Sequence, residues 1–459
     1  MKRYMVSILV VLLLLTGCGG GKVPEETTTT PAPAPVSPGQ DEMSIEEMAV
    51  SLVSDMAAGE FDKVVSYYPF SPEMKAVISD GKFIKDQIWN PLISVYGEFS
   101  EITGTLASQY QEYDIISVKT SFEKAKLYIN VVFNADKLVA GLNFAPDPDG
   151  ATPAETPEGI TETEITFGKS GWELPATLTK PAGDGPFPAI VLVHGSGPND
   201  RDETVGPNKP FRDIALDLAQ KGIATLRYDK RTYAHQQKMS ALTDITVYDE
   251  TVEDAVLAAE FLKGDSSIDQ ENVYILGHSL GGMLIPRIAE LTPSTAGYII
   301  MAGPVTPLED LMVKQVEYLN DLDGTATDQE NQMLEAYKAM RDNIKALKPG
   351  SDTPPEQLFG TPASYWLDLM DYNPAKAAKA IEKPLLVLQG ERDYQVTMEE
   401  FELWKDSLGQ KSNVTFKSYK GLNHLMIHGE GTPDPQEYNI PGKVDDQVIE
   451  DIASWVLGS

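Results

Sequence analysis

A serine with glycines two positions to either side, in Gly277-His278-Ser279-Leu280-Gly281-Gly282, is a candidate nucleophile. A hydroxyl attacks a carbonyl when a turn lifts it clear of the backbone and a base takes its proton. Val273-Tyr274-Ile275-Leu276 reads as a buried strand before it, and Met283 to Leu291 reads as a helix after it. Small residues at 277, 281 and 282 let a sharp strand-to-helix turn close, and the helix N-terminus favours developing negative charge. The base should be a histidine later in the chain, because the pattern runs serine, acid, histidine. His424 and His428 follow Ser279, and both come after a last strand at Val414 to Tyr419. An acid that holds the imidazole in the right tautomer should stand just past the preceding strand, Leu385 to Leu388, where Glu391 and Asp393 occur. The chemistry of such a set is acyl transfer through a covalent serine intermediate.

The oxyanion formed on the way needs two backbone donors, one on the residue after the nucleophile and one in the loop after an earlier strand. The first is Leu280. The second lies in Val193-His194-Gly195-Ser196-Gly197, with Ser196 the expected donor. His194 precedes Ser279 in the chain, so it is read as structural, and His278 as a packing residue.

These loops must hang from a framework. Apolar runs at 189–193, 223–228, 273–276, 297–300 and 384–388 alternate with helical stretches. That alternation predicts an α/β fold, a mainly parallel sheet covered on both faces, over residues 159–459. Helical patterns at Leu311 to Tyr318 and Met333 to Ile344 predict a helical cap inserted at about 305–380. Ahead of this, residues 44–146 read as a small α+β domain. Ser44 and Glu47 have the spacing of a capping box, Ile45, Met48, Ala49, Leu52, Val53 and Met56 give an apolar face, and Gly59 stops the helix. A second helical stretch carries Val64 and Val65, and strands follow from Tyr96 to Phe144, most clearly Lys126 to Phe133. The Pro- and Asp-rich residues 147–158 read as a linker.

The N-terminus carries a different message. Lys2 and Arg3 precede an apolar run from Met5 to Leu15, too short to span a bilayer, which marks residues 1–17 as a secretory signal. Leu15-Thr16-Gly17-Cys18 resembles the lipobox of bacterial lipoproteins, which implies lipidation of Cys18 and anchoring at the outer face of a membrane. Cys18 is the chain's single cysteine, so no disulfide, thiolate metal site or cysteine nucleophile is expected. Residues 18–43, with Thr27 to Thr30 and alternating Pro and Ala, read as an extended tether. Losing Lys2 and Arg3 takes the formal net charge from −32 to −34. Such a surface repels nucleic acid and anionic lipid, which leaves membrane contact to the acyl chains.

Gly195-Ser196-Gly197-Pro198-Asn199-Asp200-Arg201-Asp202, continuing through Gly206-Pro207-Asn208-Lys209-Pro210-Phe211, and Arg227-Tyr228-Asp229-Lys230-Arg231-Thr232 resemble the bacterial EstD-type esterases, a branch of the α/β-hydrolases. Many relatives have glycine where this chain has Thr232. The resemblance covers about residues 185–430. It implies hydrolysis of small carboxylic esters with no metal or organic cofactor. It places the acid at Asp393, and it places the base at His424, within the glycine-to-histidine loop Gly421-Leu422-Asn423-His424. Asp200, Arg201, Asp229 and Arg231 are expected either to line the pocket or to form an ion-pair network. The 44–146 segment is similar to small domains of uncharacterised function that precede some secreted hydrolases. An acyltransferase, thioesterase, peptidase or deacetylase would use the same machinery. A lipid-anchored binding protein with an idle hydrolase domain is the alternative from outside enzymology.

Overall fold

The computed structural model describes residues 43–78, 80–110, 113–123, 125–146, 156–322 and 324–458. The signal at 1–17, Cys18, nearly all of the 18–43 tether and most of the 147–158 linker therefore lie outside the described residues. The chain divides into two units, the first ending at Glu155 and the second beginning at Thr156.

In the first unit, helix α1 (Ile45–Ala57) starts where the Ser44 hydroxyl accepts the Glu47 N–H at 3.2 Å and the Glu47 carboxylate accepts the Ser44 N–H at 2.9 Å. Its apolar stripe, Met48, Ala49, Leu52, Val53 and Met56, is buried. An antiparallel sheet in the order β1 (Phe99–Tyr110), β2 (Tyr113–Phe122), β3 (Lys126–Phe133), β4 (Val139–Pro146) supplies the other half of that core. Alternate residues of β3, namely Leu127, Ile129, Val131 and Phe133, face the helix side, as a period of two requires.

The second unit is built on eight strands: β5 (Thr161–Phe167), β6 (Leu174–Lys180), β7 (Phe187–Val193), β8 (Ala224–Tyr228), β9 (Ile268–His278), β10 (Gly297–Met301), β11 (Leu385–Gly390) and β12 (Val414–Tyr419). Their order is β12-β11-β10-β9-β7-β8-β6-β5. Strands β7 to β12 pair in parallel, while β5 and β6 form an antiparallel edge. Along β7, Ala189, Val191 and Val193 enter one core and Ile190 and Leu192 enter the other. A strand buried on both faces has no polar side, which is why these runs are continuously apolar. Strand β9 begins at Ile268, five residues ahead of the apolar run read from the sequence. Asp269, Gln270, Glu271 and Asn272 hide its start because that part is partly solvated. The β5–β6 hairpin was not legible, since Thr161-Glu162-Thr163-Glu164 carries charge on an edge strand.

Chain order reverses across β9, which lies between β7 and β10. Loops leaving the carboxyl ends of β7 and β9 therefore diverge from neighbouring strands and leave a crevice, where open α/β sheets hold ligands. Between β10 and β11 run the helices Leu308–Asp321, Asp328–Lys345 and Ala363–Leu369. Glu400 anchors the start of this insertion by accepting the N–H groups of Val305 and Thr306, each at 2.7 Å.

Candidate active site

Ser279 leaves β9 and precedes helix Leu280–Leu291 with φ 52° and ψ −117°. A non-glycine residue at positive φ is strained by about 1–3 kcal/mol, and the neighbouring glycines explain how the turn is held. A Cβ at Gly277 would stand 2.3 Å from the Gly281 carbonyl oxygen, and one at Gly281 would stand 2.5 Å from that of Val193. The Ser279 N–H is tied to Met301 O at 3.0 Å, which pins the turn to β10.

Asp393 follows β11 and His424 follows β12, and the structure brings them together: Asp393 Oδ2 lies 2.6 Å from His424 Nδ1. Asp393 Oδ1 accepts the N–H groups of Gln395 and Val396 at 2.8 and 2.9 Å, and Oδ2 also accepts Gln389 Nε2 at 3.1 Å. A carboxylate surrounded by donors calls for the proton of His424 on Nδ1, which leaves Nε2 as the basic nitrogen. Glu391 is exposed and accepts the Ser418 hydroxyl. His428 pairs with Leu422 in an isolated bridge across the loop.

The loop after β7 comes close to Ser279 because Gly195 has no side chain. A Cβ there would lie 3.0 Å from Ser279 Cβ and 3.5 Å from its Oγ. Ser196, Gly197, Ser279 and Leu280 line one cavity of about 110 Å³. Leu311, Val316, Tyr365 and Trp366 of the inserted helices line the same cavity, so the insertion borders the space at the serine. Glu250, on a short π-helical turn at Tyr248–Val252, reaches the same cavity.

Asp200, Arg201, Asp229 and Arg231 do not line this cavity. Arg201 forks onto Asp229, with Nε to Oδ1 at 3.0 Å and Nη2 to Oδ2 at 3.1 Å. Arg231 pairs with Asp254 and with Glu253. Asp200 accepts the Thr204 N–H and hydroxyl at 2.9 and 2.7 Å. The pocket expectation for these four is thus replaced by an ion-pair and turn network, because each charge is already taken up by a local partner. Thr232, where a glycine was noted in relatives, donates its hydroxyl to Gly197 O at 3.2 Å and so braces the same loop.

The two buried histidines beside the site differ in state. His194 Nε2 donates to Asp200 O at 2.9 Å, and burial, outweighing the nearby Glu203 carboxylate, pushes its pKa down to about 4. It is a neutral packing residue against Phe211 and Tyr228. For His278 burial also opposes the charge, yet Glu203 overcomes it and the pKa is raised. His278 Nδ1 and Glu203 Oε2 lie 2.9 Å apart but out of line, making an ion pair rather than an aligned hydrogen bond. Burial likewise opposes ionised Glu203, and His278 outweighs it, so that carboxyl is held low. Glu203 Oε1 accepts the Gly195 N–H at 2.7 Å, and its backbone sits at φ 51°. His278 therefore does more than pack, a correction to the sequence reading. Glu203, Lys230 and Glu250 were all missed. The first two lay within or beside motif segments whose spacing gave them no role, and Glu250 had no sequence signal at all.

Among the described residues no group of three or more His, Cys, Asp or Glu side chains could hold a metal ion. A family model described as serine aminopeptidase, S33, matches residues 186–431. A second, described as a protein of unknown function (DUF3887), matches residues 49–142. The chain is 41% identical over 377 residues to the esterase EstD of Thermotoga maritima, covering 81% of this chain and 86% of that protein. Among solved structures, an esterase of Pyrococcus furiosus is similar with a TM-score of 0.41 and 14% identity, covering 65% of this chain and 91% of that one. Est1E of Butyrivibrio proteoclasticus with ferulic acid bound gives 0.42 and 16%, covering 64% and 98%.

Proposed function

Since this chain belongs to the α/β-hydrolase family matched at residues 186–431, with EstD as a relative, and is a hydrolase acting on esters, we propose that it is a serine carboxylesterase working through Ser279, His424 and Asp393. His424 Nε2 takes the Ser279 proton as Oγ bonds to the ester carbonyl carbon and the carbonyl electron pair moves onto oxygen. The backbone N–H groups of Leu280 and Ser196 receive that oxyanion. Collapse expels the alcohol, which takes its proton from His424, and leaves Ser279 acylated. Water, deprotonated by His424, then releases the acid and restores the serine.

The observation that carries this reading is the 2.6 Å contact between Asp393 Oδ2 and His424 Nδ1, taken together with a serine held at positive φ on the cavity wall. Replacing Ser279 by Ala should abolish hydrolysis of activated short-chain esters and leave the thermal melt unchanged. Retained activity in that variant overturns the assignment. The shared machinery also serves transfer to another alcohol, to thioesters or to peptides, so product analysis with a competing alcohol, a thioester and an aminoacyl amide sets the reaction class.

We further propose that residues 1–17 are removed, Cys18 is lipidated, and the enzyme works outside the cytoplasm on the 18–43 tether. The support is the lipobox-like Leu15-Thr16-Gly17-Cys18. Replacing Cys18 by Ala in a bacterial host should release the protein from the membrane fraction, and unchanged membrane retention overturns this placement.

A further inference from the structure

Lys230 stands in the Asp229-Lys230-Arg231 segment, and the reaction steps above give it no part. Its side chain is among the most buried in the protein, at 1% exposure, an unusual place for an ammonium. Its ammonium holds two partners. Nζ donates to Gly195 O at 2.8 Å and to Glu250 Oε1 at 2.5 Å. Glu250 is itself completed by the Tyr365 hydroxyl of the cap, which donates to Oε2 at 2.8 Å. A run of contacts therefore leads from the cap through Glu250 and Lys230 to one backbone carbonyl.

That carbonyl is the telling one. Gly195 O and the Ser196 N–H belong to a single peptide unit, which is planar with the two groups pointing in opposite directions. Whatever holds Gly195 O also sets the direction of the Ser196 N–H. Gly195 is gripped at its other end too, where Glu203 accepts its N–H at 2.7 Å. Asn199 Nδ2 adds a weaker contact to Gly195 O at 3.3 Å and another to Ser196 O at 3.0 Å. A glycine lacking a side chain has no other means of resisting rotation about its own bonds. Burial of an ion pair is an inefficient way to gain stability, since well-packed apolar residues of the same volume do as well or better. Its worth here lies in direction.

We propose that Lys230, seated on Glu250, is a positioning residue for ester hydrolysis, holding the Gly195–Ser196 peptide so that the Ser196 N–H meets the oxyanion. The inference rests on the oxyanion-donor reading above. Lys230 does not line the cavity that Ser279 faces. Its effect is confined to the tetrahedral state, where the donor is needed, and ground-state binding is left nearly untouched.

The test compares Lys230→Met with the double variant Lys230→Met/Glu250→Met, in which no buried carboxylate is left unpaired and folding is protected. Each is assayed per active site, counted by fluorophosphonate labelling run to completion, and checked by thermal melting. The expected result is a kcat about 10- to 100-fold below wild type in both variants, with KM within about threefold in Lys230→Met, whose replaced side chain does not line the cavity. Affinity for an alkyl trifluoromethyl ketone, which forms a tetrahedral adduct on serine, should fall by the same factor as kcat/KM. Affinity for the matching methyl ketone should stay within about threefold. A merely structural lysine would lower the melting temperature and leave that ratio of affinities as it was. A kcat within twofold of wild type in either folded variant overturns the proposal, as does a loss of kcat without parallel loss of trifluoromethyl ketone affinity. Ser279→Ala separates the two levels: activity in that variant overturns the mechanism itself, whereas an inactive Ser279→Ala beside an unimpaired Lys230→Met overturns the role of Lys230 alone.

Discussion

His278 Nε2 donates a hydrogen bond to the main-chain oxygen of His424 at 2.9 Å, so the residue beside Ser279 holds the loop that carries His424. The two rings lie 4.6 Å apart at 45°. Through its other nitrogen His278 faces Glu203, which in turn grips Gly195. Loops leaving β7, β9 and β12 are thereby linked through one buried ion pair.

The pair should make stability pH-dependent. Glu203 is held low, so its contribution is present above its unfolded value of about 4.3 and fades as pH falls through the folded one. His278 is raised, so its contribution is full below about 6.5 and is lost as pH rises through its folded value. Glu203→Gln keeps an acceptor for Gly195 and removes the charge. It should cost about 3 kcal/mol near pH 5.5 and less near pH 9, measured by urea unfolding. An equal loss at both pH values would show that the pair is not ionised.

Gly195→Ala places a methyl group 3.0 Å from Ser279 Cβ and 3.4 Å from Glu203 Oε1, so one side must yield. Displacing the serine or its neighbouring donor by part of an ångström should lower kcat about 10- to 100-fold, with a small change in melting temperature. Steady-state kinetics on a short-chain ester decide it, and wild-type kcat would show that the loop accommodates the methyl.

Arg231→Met should destabilise the protein by about 3–5 kcal/mol, because it leaves buried Asp254 without its cation. Catalysis per folded molecule should stay near wild type, since Arg231 does not line the cavity. Denaturant titration beside labelled-site kinetics separates the two effects. A KM change without loss of stability would restore it to the pocket.

Strand-end positions were legible because β9 and β11 contain short apolar runs that end at Leu276 and Leu388 with a glycine close behind, and because β12 alternates apolar and polar residues up to Tyr419. Ser279, Asp393 and His424 stand just beyond them, and residue order sorts their roles. Lys230 and Glu203 were not legible for a topological reason. Lys230 follows β8 and Gly195 follows β7, and the two meet because those strands are parallel neighbours, a pairing that neither strand's own pattern records. Glu250 depends on a π-helical turn, and residue periodicity does not announce one. The β5–β6 edge was hidden by its charge. The capping box at Ser44 was legible because it is entirely local, with every partner within three residues.

Asp393→Asn tests the tautomer. The amide oxygen can still accept from Gln395 and Val396, but the amide nitrogen would then replace Oδ2, facing His424 Nδ1 and the donor Gln389 Nε2 together. His424 Nδ1 must become an acceptor, which moves the ring proton to Nε2 and removes the base. kcat should fall about 10³- to 10⁴-fold with KM little changed. A fall below tenfold in folded protein would show that another carboxylate orients the imidazole.

Leu311→Trp tests the cap's hold on chain length. Leu311 is buried and lines the same cavity as Ser279, and a larger ring there would take up space that an acyl or alkoxy chain would use. Overpacking of this kind costs about 1–3 kcal/mol of stability, so the melting temperature should drop modestly. Each methylene that no longer fits forfeits about 0.8 kcal/mol of burial. Across nitrophenyl esters of graded length, kcat/KM should therefore fall progressively for longer chains while acetate hydrolysis stays within about threefold. A uniform loss at every length would show that Leu311 supports the fold of the cap and does not bound the substrate.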